Sequence, residues 1–270
     1  MLDSINLPIG EITTEILRNY LASYKSNSNA GMVTIDNIRR TLSSFFAWLE
    51  NEDYIVKSPV RRIHKVKATK KVKETFTDEN LEKLRDTCLN IRDLAILELL
   101  ISTGMRVGEL TRLNIDDMNF QERSCIVLGK GNSEREVYFS AKSKMYMKKY
   151  LETRTDNNEA LFVSLIKPYN RLWISGIEIA IRNLGREANI NKVHPHKFRR
   201  TMATMAIDKG MPVEQVQKLL GHIKIDTTVE YAMVNQNNVK NSHRKYVNWK
   251  FFKKYWLLSK NMVYLKYRKQ

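Results

Sequence analysis

Between Arg61 and Lys73 the chain carries seven Lys or Arg residues and no acid. Like charges at this density repel one another and hold water, which argues against one continuous core running through the segment. Such a run is ordinarily a solvated linker. Set between two helical regions of a basic protein, it is also where a chain could track a phosphate backbone. A boundary is therefore expected here, with a helical region over residues 1–60, a basic linker over 61–75 and a second folded region over 76–248.

The first region reads as helical. In "ITTEILRNYLASY" a threonine cap at Thr13 or Thr14 precedes Ile16, Leu17, Tyr20, Leu21 and Tyr24 on one face. In "TIDNIRRTLSSFFAWLENEDYI" the apolar residues Ile35, Ile38, Leu42, Phe45, Phe46 and Leu49 recur at steps of three and four. Arg39, Arg40, Ser43 and Ser44 lie between them and give that helix a basic, hydroxyl-bearing outer side.

The second region opens with Thr77 as an N-cap, Asn80 at the third helical position and acids in the first turn. "IRDLAILELLISTG" reads as a mostly buried helix stopped by Gly104. The period then changes: "IDDMNF", "SCIVLGKG" and "EREVYFS" are short runs separated by turn residues, which predicts a small antiparallel sheet. Helical patterns resume with "AKSKMYMKKYLETR" and "YNRLWISGIEIAIRNLGREA", and shorter helices are expected to begin near His196, Pro212 and Asp226. The fold class is mainly α with a small antiparallel β-sheet. At 270 residues and 43 % hydrophobic content the chain suits one large domain or two modest ones.

A formal charge of +17 points to a polyanionic partner, because binding one releases its condensed counterions. Nucleic acid is the first expectation and an anionic membrane surface the second; a basic protein without such a partner is the bland alternative. Cys88 and Cys125 lie far apart in apolar settings and suggest neither a zinc site nor a disulfide, which fits a reducing cytoplasm. "MLDSINLPIGEITTE" lacks the basic and apolar regions of a signal peptide, and no apolar run approaches the ~18 residues of a membrane span.

Familiar catalytic signatures are missing. Gly129-Lys130-Gly131 is no nucleotide-binding loop, there is neither G-x-S-x-G nor H-E-x-x-H, and Asp116-Asp117 has no matching carboxylate cluster. No metal and no cofactor are expected. What remains is a set of cations near predicted helix starts. Arg106 follows Gly104, His196 and Arg199 share a face in the first turn after Pro195, and His222 follows Gly221. Free N–H groups and cations gathered there would favour a phosphate.

These segments, "TGMRVGELTRLNIDDMNF", "GKGNSEREVYF", "HPHKFRRTMAT" and "LLGHIKIDTTVEYA", resemble the tyrosine recombinase (phage integrase) family in order and spacing, over essentially residues 1–248. The match includes the nine-residue interval from His222 to Tyr231. The resemblance implies a helical core-binding domain joined to a catalytic domain, the two forming a clamp around double-stranded DNA. It implies Tyr231 as the nucleophile that forms a 3′-phosphotyrosine, and Arg106 and Arg199 as the ligands of the non-bridging oxygens. It further implies Lys130 as general acid toward the leaving 5′-oxygen, His196 as an aid to proton transfer and His222 as the residue beside the phosphate.

The residues support that chemistry independently. A phenol needs a base or cationic surroundings to attack at neutral pH, and guanidinium forks match phosphate oxygens. Glu109, with Asp116 or Asp117, is expected to orient an arginine rather than to move protons. DNA contacts are expected from Arg39, Arg40, Arg61, Arg62, Lys65, Lys67, Arg135, Lys197 and Arg200.

Three departures from the family pattern stand out. Arg200 occupies a position where many members carry a second histidine. The first helix of the core-binding domain is expected to be mostly missing, as in a short form or a chain begun at an internal methionine. The acid-free tail over residues 249–270, with seven Lys or Arg from Lys250 onward, has no family counterpart; without those seven charges the chain would still carry +10. The tail could stack on bases, lie on a membrane surface or serve no function.

The leading reading is a site-specific recombinase or integrase of a mobile element. It would act as a homotetramer through a Holliday junction in a prokaryotic cytoplasm, at the nucleoid when bound to DNA, with excision or architectural accessory proteins as further partners. A type IB topoisomerase-like nicking and closing activity and a truncated integrase that binds DNA but recombines poorly are the alternatives. Removing residues 250–270 is expected to leave strand cleavage intact, measured as covalent protein–DNA adduct on a denaturing gel. A truncated chain that no longer cleaves would make the tail functional.

Overall fold

The computed structural model describes residues 5–66, 74–129, 133–222, 225, 228 and 229. The chain forms two compact units, Met1–Val72 and Lys73–Gln270.

In the first unit, 3-10 turns at Ile9–Glu11 and Pro59–Arg62 flank helices α1 (Thr14–Ser28) and α2 (Met32–Asn51). Thr13 is the cap of α1, its hydroxyl accepting the Ile16 N–H at 3.4 Å, while the Thr14 hydroxyl donates to the Pro59 carbonyl at 2.6 Å. Leu17 and Leu21 from α1 bury with Ile35, Leu42, Phe46 and Leu49 from α2, the positions that the helical period selects.

The start of the basic run is not a free linker. Val60 is buried, Ile63 and Val66 pack against the same core, and the Val66 N–H donates to Asp36 Oδ1 at 3.1 Å. Apolar residues at every third position give this stretch a face to bury, and burial of each outweighs weak repulsion between exposed, screened charges.

The second unit is built around α4 (Ile91–Thr103). It follows α3 (Asp78–Thr87), which Thr77 caps by accepting the Asn80 N–H at 3.2 Å. Ala95, Ile96, Leu97, Leu99 and Leu100 of α4 are fully buried. Burying an aliphatic side chain of this size contributes about 1.5–3 kcal/mol relative to exposure. Gly104 ends α4 in the left-handed region, and the short helix α5 (Val107–Leu110) follows.

Strands β1 (Met118–Asn119), β2 (Ser124–Leu128) and β3 (Glu134–Tyr138) form an antiparallel sheet in the order β1-β2-β3. Cys125 faces Val137 in this sheet and both are buried, and burial pushes the Cys125 thiol up to about 12. Helices α6 (Ala141–Glu152), α7 (Ile174–Glu187), α8 (Pro195–Asp208) and α9 (Val213–Leu220) complete the unit. Helices α6 and α8 pack against α4.

Helix α7 starts later than the pattern from Tyr169 suggests. Tyr169 has φ 56°, Arg171 bridges to Val163, and Arg171 Nη1 donates to the carbonyls of Thr111 and Leu113 at 3.1 Å. Long-range partners hold the side chain and backbone that a first helical turn would need. Among the described residues no helix is long and apolar enough to cross a membrane. Leu100→Ala is expected to cost about 2–5 kcal/mol of unfolding free energy and Thr77→Ala about 1 kcal/mol, read by urea denaturation. Equal losses would show that α4 is not the centre of this core.

Candidate functional site

The site grows from two glycine stops. Gly104 (φ 59°) closes α4, its N–H donating to Leu100 O at 3.0 Å. A Cβ at this position would fall 2.3 Å from the Met202 methyl, which would have to move aside, while the left-handed φ itself favours glycine. Gly221 (φ 64°) closes α9, and the His222 N–H then donates to Gln217 O at 3.1 Å.

Arg106 stands at the N-cap of α5, where its N–H donates to Glu109 Oε2 at 2.8 Å and its Nη1 to Oε1 at 2.9 Å. Burial by itself would raise the Glu109 pKa. Hydrogen bonds from Arg135, the Arg106 amide and the nearby guanidinium charges outweigh burial and hold this carboxyl below its ordinary value. The acid that the sequence suggests as an orienting group is thus a buried anion shared by two arginines.

Three guanidiniums meet the end of α9. Arg135 Nε donates to Leu219 O at 2.9 Å, Arg199 Nη2 to Leu220 O at 2.6 Å and Arg106 Nη2 to Gly221 O at 3.4 Å. Arg199 also donates from Nη1 to Gly104 O at 2.8 Å and is only 3 % exposed. The last carbonyls of a helix lack internal partners and carry its negative dipole end, so they attract cations. The sequence places Arg106 and Arg199 near helix starts and Arg135 in a strand; the structure carries all three guanidiniums to helix ends, where the open acceptors are.

His196 sits exposed in the first turn of α8, and His222 is half-buried with Nδ1 2.8 Å from the buried Thr228 hydroxyl. Both imidazoles are harder to protonate than usual. Although the residue is exposed, neighbouring protein atoms dehydrate the His196 ring, and this and then Arg199, Arg106 and Arg200 lower it; burial and then Arg199, Arg106 and Arg135 bring His222 down to about 4. An anion entering here would meet arginine cations beside neutral rings. Arg106, Arg135, Gly221 and His222 line one open groove of about 1530 Å³.

Other expected DNA contacts divide into separate groups. Arg40, Arg62 and Lys65 are exposed in the first unit. There Arg39 pairs with Asp36 at 2.8 Å and Arg61 with Glu50 at 2.7 Å. Arg135 and Lys197 both point inward. Arg135 directs Nε, Nη1 and Nη2 at protein acceptors, and Lys197, 4 % exposed, lies with Nζ 4.4 Å from the centre of the Phe76 ring. Arg200 Nη2 donates to Glu74 O at 3.2 Å. Lys67, Lys130 and Tyr231 lie outside the described residues.

Two contacts had no sequence signal. The Thr228 hydroxyl meets His222, and Thr201 Oγ1 accepts the Phe76 N–H at 2.9 Å across 125 residues. Asp117 holds a turn, accepting the Asn114 N–H at 2.7 Å. Among the described residues no group of three or more His, Cys, Asp or Glu is placed to hold a metal ion.

The phage integrase family model matches residues 74–238. Tyrosine recombinase XerC of Staphylococcus aureus (strain USA300 / TCH1516) is 32 % identical over 234 residues, covering 83 % of this chain and 77 % of that protein. The crystal structure of XerA recombinase matches at 27 % identity and TM-score 0.59, over 90 % of this chain and 86 % of that one. XerH site-specific recombinase, in a post-cleavage complex with a palindromic difH substrate, shares the fold at TM-score 0.72 and 20 % identity, over 87 % of this chain and 73 % of that one. The chain belongs to the phage integrase family of tyrosine recombinases, enzymes that break and rejoin DNA.

The His222 ring is expected to titrate near 4 rather than 6.5 when followed by NMR. The unfolded chain then binds a proton that the folded chain refuses between those values. Stability should be fully present above pH 6.5 and fall as pH drops toward 4, with a shallower slope in His222→Phe. A ring titrating at its ordinary value would contradict the arginine-crowded geometry.

Proposed function

We propose that this chain is a site-specific recombinase or integrase of a mobile element, which cuts and rejoins double-stranded DNA through a 3′-phosphotyrosine on Tyr231. The observation that carries the reading is the convergence of Arg106 and Arg199 on the turn bearing His222, nine residues before Tyr231. Residues separated by 115 positions meet at one helix end, inside the span that matches the family model.

In this reading Arg106 and Arg199 bind the non-bridging oxygens of the scissile phosphate. The Tyr231 oxygen attacks phosphorus while neutral His196 receives the phenolic proton. The bond from phosphorus to the 5′-oxygen breaks, and Lys130 supplies the proton that leaves a 5′-hydroxyl. His222 donates a hydrogen bond to the phosphate as negative charge builds on it. Such charge is met best by donors fixed in advance, because they need no reorganisation at the moment of reaction. The covalent phosphodiester keeps the bond energy, so attack by a 5′-hydroxyl reverses the step without a nucleotide cofactor. Exchange between duplexes would proceed through a Holliday junction within a homotetramer in the cytoplasm, with the exposed Arg40, Arg62 and Lys65 contacting phosphates. In the same reading the chain divides into a core-binding region over 1–60, a linker over 61–75, a catalytic region over 76–248 and a tail over 249–270.

Tyr231→Phe is expected to abolish covalent adduct on a supercoiled plasmid carrying the DNA that flanks the gene, while gel-shift affinity survives. An adduct formed by the Phe variant would remove Tyr231 as nucleophile. Wild type incubated with two marked duplexes from the same DNA should yield exchanged products; relaxation without exchange would favour a topoisomerase.

A further inference from the structure

Arg135 stands on β3, five residues after Lys130. Its side chain is 10 % exposed, and its guanidinium is held in a fixed frame. Nη1 and Nη2 donate to Glu109 Oε1 and Oε2 at 2.8 and 2.7 Å, and Nε donates to Leu219 O at 2.9 Å. The same two carboxylate oxygens hold the backbone and side chain of Arg106. Gly221 closes the frame, since a Cβ there would lie 2.9 Å from Arg135 Cδ. One side chain therefore joins strand β3, the acid that orients Arg106 and the last turn of α9 before His222.

We propose that Arg135 is a positioning residue for strand cleavage, fixing Arg106 through Glu109 and the His222 turn through the Leu219 carbonyl. The proposal rests on the recombinase reading of the site. Glu109 is buried, so losing the two-pronged partner would leave its oxygens short of donors and free the carboxylate to reorient, and Arg106 with it. Leu219 O would lose the donor that Arg135 Nε supplies, at a helix end where an unsatisfied carbonyl weakens the turn. Lysine cannot substitute, because one ammonium on a flexible stem does not span a carboxylate and a carbonyl in a planar fork. Arg135 itself touches no DNA in this scheme.

The test uses the full chain as wild type, Arg135→Met, Arg135→Lys and Glu109→Gln, with a supercoiled plasmid carrying the DNA that flanks the gene. Adduct formation, gel-shift affinity and amide hydrogen exchange over residues 106–110 and 219–222 are measured. For Arg135→Met the expected result is a roughly 100-fold slower adduct with affinity within about threefold of wild type, since small misplacements of reacting groups carry losses of that order. Exchange in both segments should quicken, and Arg135→Lys should not rescue either effect. If Arg135→Met does not fold, Glu109→Gln should show slow adduct formation and retained affinity. Wild-type cleavage rates in these variants, unchanged exchange, or a loss of affinity equal to the loss of cleavage would overturn the proposal, the last by making Arg135 a DNA contact. No adduct from wild type would instead fail the recombinase reading, and the exchange rates would judge the Arg135 hold alone.

Discussion

A helix that ends inside a protein leaves backbone carbonyls without partners, and water cannot reach all of them. At the end of α9 three successive carbonyls, those of Leu219, Leu220 and Gly221, each accept from a different arginine. The arginines come from the turn before α5, from β3 and from α8, so a requirement of one helix end gathers three distant segments. Gly104 O, at the end of α4, accepts from the same Arg199 and ties in the central helix. The site of the second unit depends on this satisfaction of helix ends.

The grip also sets the charge of the site. Two guanidiniums that share one carboxylate would repel if nothing intervened, so the buried Glu109 carboxylate between Arg106 and Arg135 offsets part of that cost. Burial first, and then the remaining positive field, lower the pKa of both His222 and His196, which disfavours the charged imidazolium. Cations that are already hydrogen-bonded in place lose little freedom when a phosphate arrives.

Much of this was legible in local patterns. Thr77, Gly104 and Gly221 act through their own backbone neighbourhood, so residue type alone announces a cap or a stop. The alternating runs around Cys125 and Val137 announce strands for the same reason. The direction of a long cationic side chain is different. Arg135 and Lys197 look like surface charges in sequence, yet one is drawn inward by a carboxylate 26 residues away and the other lies over the Phe76 ring. Ile63 and Val66 likewise vanish in a basic run until a core is there to receive them.

The sequence by itself determined most of the helical and strand segments and the family, and it put forward a set of residues to handle a phosphate, because periodicity, caps and motif spacing are properties of neighbouring residues. Only the tertiary structure decided which cations face the groove and which brace it. A guanidinium has five donors and goes where unsatisfied acceptors lie, and those acceptors, Glu109 and the carbonyls of Gly104, Leu219, Leu220 and Gly221, become neighbours only when the helices have packed.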